Sequence, residues 1–372
     1  MKILGIETSC DETAASVIEV SQDKSYVKVL SSVTATSLAL HAKTGGIIPE
    51  VAARNQIKDI IPVIYETLTL ADGVWPMANS KESHNLLAPA IDAIAVTYGP
   101  GLIGSLLVGV ETAKTLAYVW DKPLIPINHL FGHMYANLVE VDNPPEFPVI
   151  SLIVSGGHTD LVLMKSHTDI TWLGGTRDDA AGECFDKCAR LIGYAYPGGP
   201  KIAELALKGD PKAVAFPRPM ISNHNFEFSF SGLKTAFLNK TKESFAILRT
   251  SSEKIGWNQI ILEEHITEIQ KKILYDLCAS LQEAIVSVLV KKTFSAVDKY
   301  HAKSLILSGG VAANEKLRET FRQNASAHGV KFFVPEKFLC TDNGTMIATA
   351  ALFQGKKTDW QEVVANPELY FD

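Results

Sequence analysis

Apolar residues recur along this chain in two rhythms, and the switches between them mark out strands and helices. Ile3–Thr8, Ala14–Val20 and Val27–Val33 are β-rich runs broken at Ser9–Glu12 and Gln22–Ser25, which predicts three consecutive strands. From Pro49 to Leu70 the spacing turns helical, with Val51, Ile57, Ile60, Ile61 and Ile64 recurring and Pro49 suited to a first turn. The polar, Pro- and Ser-containing stretch Ala71–Pro89 predicts a loop. Ile91–Thr97 predicts a buried strand, Ile103–Trp120 an apolar helix and Leu124–Ile127 another strand.

The second half repeats the theme. Pro148–Val154 and Thr159–Lys165 predict a hairpin, Asp179–Ile192 and Pro200–Lys208 two helices, and Glu263–Tyr300 a long helical region. Ser304–Ser308, Ala312–Asn324, Lys331–Val334 and Thr341–Phe353 then read as strand, helix, strand, helix. Strand hairpins followed by βα units, met twice, indicate a duplicated α/β fold.

Composition narrows the picture. A length of 372 residues favours two domains, and 47% hydrophobic with 20% charged residues describes an ordinary globular protein. Apolar stretches such as Leu102–Val110 and Val288–Val290 are too short or too Gly-broken to cross a bilayer, so no membrane partner is expected. The first strand follows Met1 almost at once, so no leader peptide is expected. Five scattered cysteines without a C-x-x-C pair point to a reducing cytoplasm, with Cys184 and Cys188 as core packing. A net charge of −6 means that any RNA would need local basic patches or a partner.

Three small-residue turns each close a strand: Gly5–Thr13, Val154–Asp160 and Leu307–Asn314. Such turns direct backbone N–H groups at a small anion, which predicts a phosphate clamped between related lobes and hence a nucleotide-derived substrate. His129 and His133 would share one helix face and suit a divalent metal; a packed or solvated histidine pair is the alternative. Asp342 reads locally as a plain N-cap, and Asp178 and Asp179 as capping acids. Asp186 could accept from a ribose hydroxyl, Gly198–Gly199 and Gly309–Gly310 could let backbone approach a nucleotide, and Asn314 could bond a base or ribose. The glycines of Gly99–Ser105 read as close helix packing. Lys234, Lys240 and Lys242 with Phe228, Phe230 and Phe237 could hold RNA, but read better as a solvated face over core aromatics.

Taken together, GIETSCDET (Gly5–Thr13), HLFGH (His129–His133), VSGGH (Val154–His158), DDAAGECFDK (Asp178–Lys187), YPGGP (Tyr196–Pro200), FSFSGLKTA (Phe228–Ala236), SGGVAAN (Ser308–Asn314) and CTDN (Cys340–Asn343) resemble, in order, the motifs of the tRNA threonylcarbamoyladenosine transferases, bacterial and organellar branch. The resemblance spans nearly the whole chain. It implies an actin-like ATPase (ASKHA) fold with two lobes around a nucleotide cleft, residues 1–127 plus about 345–372 forming one and 128–344 the other. It implies transfer of a threonylcarbamoyl group from threonylcarbamoyl-adenylate to N6 of adenosine 37 in tRNAs reading codons that start with A, with AMP released. By match, His129, His133 and Asp342 would hold one divalent metal, Fe2+ or Zn2+ ahead of Mg2+. Ile153, Val154, Ser155, Gly156 and Gly157 would wrap the phosphate and acyl portion, and Asp186, Gly199 and Asn314 the adenosine of an ATP-, ADP- or AMP-like nucleotide. No side chain is assigned as a general base. The implied partners are tRNA, the smaller paralogue TsaB and the P-loop ATPase TsaE, with a homodimer as the organellar alternative. Three positions depart from the family's usual residues: Gln56 stands where His is frequent, Ala203 where Asp is frequent and Gly344 where a small Ala is usual. A kinase of the same fold, a metalloprotease and a non-catalytic scaffold are the competing readings. The first would not need the two histidines and Asp342, the second lacks H-E-x-x-H, and the third would not retain all three proposed ligands.

Overall fold

β1 (Lys2–Glu7) turns into β2 (Glu12–Val20), which pairs antiparallel with both β1 and β3 (Val27–Thr36). α1 (Leu38–Thr44) and α2 (Pro49–Asp72) follow. β4 (Ala93–Gly99), α3 (Ile103–Trp120) and β5 (Leu124–Asn128) then extend the sheet in parallel on the other side of β1. The sheet order is β3-β2-β1-β4-β5. The computed structural model describes residues 1–21, 26–44, 46–72, 88–246 and 266–371. The expected turn at 22–25, most of the 71–89 excursion and much of the 241–270 segment lie outside them.

After α4 (His129–Tyr135) a second sheet forms from β6 (Val149–Val154), β7 (Thr159–Met164), β8 (Ile170–Gly175), β9 (Ser304–Ser308) and β10 (Lys331–Phe333). Its order is β10-β9-β6-β7-β8, with β6 antiparallel to β7 and parallel to β9. This is the first sheet's pattern over again, an antiparallel hairpin at the centre and parallel βα strands beyond it, so the duplication read from the sequence is present. α5 (Ala181–Leu191), α6 (Gly199–Ala206), α7 (Ser231–Ala246), α8 (Glu268–Tyr300) and α9 (Glu315–His328) accompany this sheet, and α10 (Gly344–Gln354) packs on β1 and β2 of the first.

Two compact units result. One is Met1–Pro145 with Lys165–Ile170 and Val334–Asp372; the other is Glu146–Met164 with Thr171–Phe333. The sequence reading placed all of 128–344 in the second unit. α4 and the segment after β10 instead count with the first, because α4 packs against α10. The core of the first unit joins Leu4, Ile6, Val17, Ile60, Ile64, Val96, Val110 and Trp120. The 33-residue α8 is long and apolar enough to cross a membrane, contrary to the expectation that no stretch would be. However, 67% of its most apolar window is buried inside the protein, which marks it as a core helix.

Candidate metal centre and glycine turns

α4 begins at Asn128, whose side-chain oxygen accepts from the Leu130 N–H at 2.8 Å and caps the helix. His129 and His133 then share one helix face, with ring centroids 4.7 Å apart and planes at 79°. Both are buried. Asp342 comes from the turn ahead of α10. It is not the cap: Asn343 takes that role, its side chain accepting from Met346 N–H at 2.8 Å. The Asp342 carboxylate is thereby left to the histidines, its Oδ1 lying 3.3 Å from His133 Nε2 and 3.6 Å from His129 Nε2. One donor atom from each of the three residues lies within 4.8 Å of the others.

Glycines permit this convergence. A Cβ on Gly132 would come 2.7 Å from Ile347 Cδ1, so the end of that side chain would have to shift for α4 and α10 to pack as closely. One on Gly344 would come 2.5 Å from Ser16 N, lifting the start of α10 off β2.

The donor set fits a divalent cation. Two imidazoles and one carboxylate suit a first-row transition metal. Both ring nitrogens of His133 are buried and, among the described residues, have no hydrogen-bond partner, the approach to Asp342 not being aligned as one. The electrostatics agree. Burial alone would lower the His129 pKa, but the Asp342 and Glu7 carboxylates raise it to about 9. His133 is lowered by burial, against the pull of the nearby Asp342 carboxylate. Burial beside Asp342 and Asp11 pushes Glu12 up to about 10, and burial with the same carboxylates pushes the Cys10 thiol up. This is a pocket of carboxylates short of positive charge.

The three turns differ in kind. In the first, Ser9 N–H donates to Glu7 Oε1 at 2.5 Å, so this one donor of the turn serves the chain's own carboxylate. Gln56 clamps this turn, its Nε2 donating to the carbonyls of Thr8, Cys10 and Glu12 at 3.2, 3.1 and 2.8 Å. In the second, Ser155 N–H donates to His158 O and His158 N–H to Ser155 Oγ, which closes the hairpin. Gly156 and Gly157 are exposed, a Cβ on either would meet nothing within 4 Å, and neither has positive φ. Neither packing nor backbone strain therefore requires glycine at these two positions. Ile153 and Val154 are fully buried in β6 and leave only backbone to a ligand. In the third turn, Gly309 has φ +88° and its Cβ would come 2.8 Å from the Val154 carbonyl carbon, whereas Gly310 faces open space.

The remaining expected residues are all placed in the second unit. Asp186 Oδ1 accepts from Gly198 and Gly199 N–H at 2.7 and 3.0 Å, and burial still raises its pKa. Asn314 is engaged at both ends: its oxygen caps α9 at Leu317 N–H and its Nδ2 donates to Gln282. Ala203 is half-buried on α6. Asp178 caps another helix than its own, accepting from Phe230 and Ser231 N–H and from the Ser229 and Ser231 hydroxyls at the start of α7. Asp179 pairs with Lys187 at 2.7 Å and Lys234 at 3.9 Å. Phe228, Phe230 and Phe237 are fully buried, which leaves no ring for base stacking and supports the core-aromatic reading of that patch. The sequence assigns no individual role to Glu7, Thr97 or Asn343, and Gln56 stands out there only as a departure from a frequent His. A lone acid ending the apolar run of β1 was the one signal for Glu7.

The fold is that of the actin-like ATPase (ASKHA) class. It resembles the crystal structure of the T. kodakarensis HypF with a TM-score of 0.56 at 14% identity, covering 94% of this chain and 47% of that one. It also resembles a full-length HypF in a phosphate- and nucleotide-bound form, with a TM-score of 0.54 at 13% identity over 95% of this chain and 55% of that one. The chain thus spans about half the length of those structures. Sequence comparison goes further. The model of the tRNA N6-adenosine threonylcarbamoyltransferase family (TsaD) matches residues 28–349. Curated relatives bearing that name include one from Moorella thermoacetica, 42% identical over 99% of this chain and 96% of its own length. Another, from Thermomicrobium roseum, is 46% identical over 96% and 93%. The chain belongs to the tRNA N6-adenosine threonylcarbamoyltransferase family.

Proposed function

We infer that this chain is an acyltransferase that transfers the threonylcarbamoyl group from threonylcarbamoyl-adenylate to N6 of adenosine 37 in tRNAs reading codons that start with A. The N6–carbamoyl bond forms, the carbamoyl–phosphate bond breaks, AMP leaves with the electron pair, and the amine loses one proton. Membership of the family across residues 28–349 carries this reading. The convergence of His129, His133 and Asp342 supports it. These three residues would hold one divalent metal. Imidazole donors favour Fe2+ or Zn2+ over Mg2+, which prefers oxygen ligands. When bound, such an ion supplies Lewis-acid stabilisation of developing negative charge.

The exocyclic amine of adenine is a poor nucleophile, so orientation and electrostatic stabilisation carry the chemistry, and no side chain is assigned as a base. We assign phosphate and acyl contacts to the β6–β7 turn, through the backbone of Ile153 and Val154 and through Ser155, Gly156 and Gly157. The open space over both glycines supports this. Asp186, with Oδ1 held by Gly198 and Gly199, presents its other oxygen to a ribose hydroxyl. Asn314 reaches an adenosine only by releasing Gln282.

We place the reaction in the cytoplasm, with tRNA, TsaB and TsaE as partners and a homodimer as the alternative. Large apolar side chains exposed at i, i+4 spacing, Ile57 and Ile61 on α2 and Ile103 and Leu107 on α3, support a protein partner. The test is mass spectrometry of nucleosides from tRNA incubated with the chain, TsaB, TsaE and threonylcarbamoyl-adenylate. Threonylcarbamoyladenosine at position 37 supports the assignment. None, with all components folded and present, overturns it.

A further inference from the structure

Glu7 ends β1 and is fully buried. The parallel register that sets Ile6 beside Val96 brings Thr97 of β4 next to it, and the Thr97 hydroxyl donates to Glu7 Oε2 at 2.5 Å. The same oxygen lies 3.1 Å from His129 Nδ1, while Oε1 takes the Ser9 N–H at 2.5 Å. Three donors therefore converge on two oxygens that can only accept. An accepting oxygen of Glu7 calls for a proton on Nδ1, which also lies 3.2 Å from Ser9 Oγ, and the other ring nitrogen, Nε2, is the one turned towards Asp342 at 3.6 Å. His133 has no counterpart to this arrangement: among the described residues its Nδ1 has no hydrogen-bond partner.

We propose that Glu7, itself held by Thr97 and the Ser9 backbone, is a positioning residue that fixes the ring orientation and Nδ1–H form of His129, making His129 the pre-oriented and His133 the loosely held imidazole of the metal site. This rests on the metal reading above. The register of β1 against β4 thereby sets the aim of a ligand on α4. A carboxylate behind a ligating histidine raises its basicity and removes the freedom of the ring to turn away, and loss of such a partner typically costs roughly 10–100-fold in metal affinity. Glu7→Gln keeps the shape but turns one acceptor into an NH2 group. Whichever way the amide lies, at least one of the three donors then faces a donor.

The experiment uses the full chain and Co2+ as the probe, with two readouts. The first, on metal-free protein, is the downfield Nδ1–H proton resonance of His129, assigned by its absence in His129→Asn. The second is Co2+ affinity and the d–d absorption spectrum. The proposal predicts that Glu7→Gln shifts or abolishes the proton resonance and weakens Co2+ binding by ~10–100-fold with an altered spectrum. Thr97→Val, which keeps the fold's shape and serves should Glu7→Gln not fold, moves both readouts in the same direction by less. An unshifted resonance with Co2+ affinity within about 2-fold of wild type, far short of the usual loss, overturns the proposal, even if melting temperature falls. If wild type binds no Co2+, the metal reading fails, and the proton resonance alone still decides whether Glu7 orients His129.

Discussion

Gln56 lies on α2, and its single amide nitrogen reaches three carbonyls of the β1–β2 turn. An NH2 group has two protons, so about two full hydrogen bonds are made. Gln56→Leu removes them and takes this donor from the Thr8 and Glu12 carbonyls, at about 1–3 kcal/mol each, while the Cys10 carbonyl keeps the Ser105 hydroxyl at 3.0 Å. Against this, Gln56 Oε1 is itself buried without a partner among the described residues, and its removal returns a cost of the same order for one group. The net expectation is about 2 kcal/mol, or a fall in melting temperature of about 4–8 °C for a unit of this size. Gln56→His, with one ring donor, should fall between. Thermal unfolding followed by circular dichroism reads both variants. A Gln56→Leu protein that melts within about 1 °C of wild type, well under the shift expected per kcal/mol, would refute the reasoning that this amide holds the turn.

Gly157→Ala should leave melting temperature unchanged, since its Cβ meets no protein atom within 4 Å, yet weaken AMP binding in calorimetry; a destabilised protein with intact binding would contradict the open-turn assignment. Asp178 titrates below the ordinary carboxylate range: burial opposes this, but the hydroxyls and N–H groups at the start of α7 outweigh it. A carboxylate depressed in the folded state contributes stability above its unfolded pKa, and that contribution is lost as pH falls through the folded pKa. Thermal melts of Asp178→Asn across the acid range should therefore show a shallower loss of stability below about pH 4 than wild type.

The duplicated fold was legible because each half announces itself by the same period change, from alternating strands to helical spacing. Ile103–Trp120 and Ser304–Ser308 match their observed spans. α1 was missed because seven residues are too few to show a helical period, and β8 because its edge position leaves its middle exposed. His129 and His133 were readable from their spacing, but Asp342 was not, because its place beside them depends on a neighbour: Asn343, not Asp342, caps α10. Glu7 and Thr97 come from strands 90 residues apart and meet only through sheet register, which no local pattern carries. In the same way nothing local shows Glu7 folding back onto Ser9 N–H, which takes that one donor of Gly5–Thr13 from any anion.

The most direct test of the central claim compares threonylcarbamoyladenosine formation at position 37 by wild type and His133→Ala, with tRNA, threonylcarbamoyl-adenylate, TsaB and TsaE supplied and metal content measured on both proteins. The account predicts product and about one divalent ion per chain for wild type, as one mononuclear site holds, and loss of both in the folded variant. Product formation at the wild-type rate by a metal-free His133→Ala protein would contradict it.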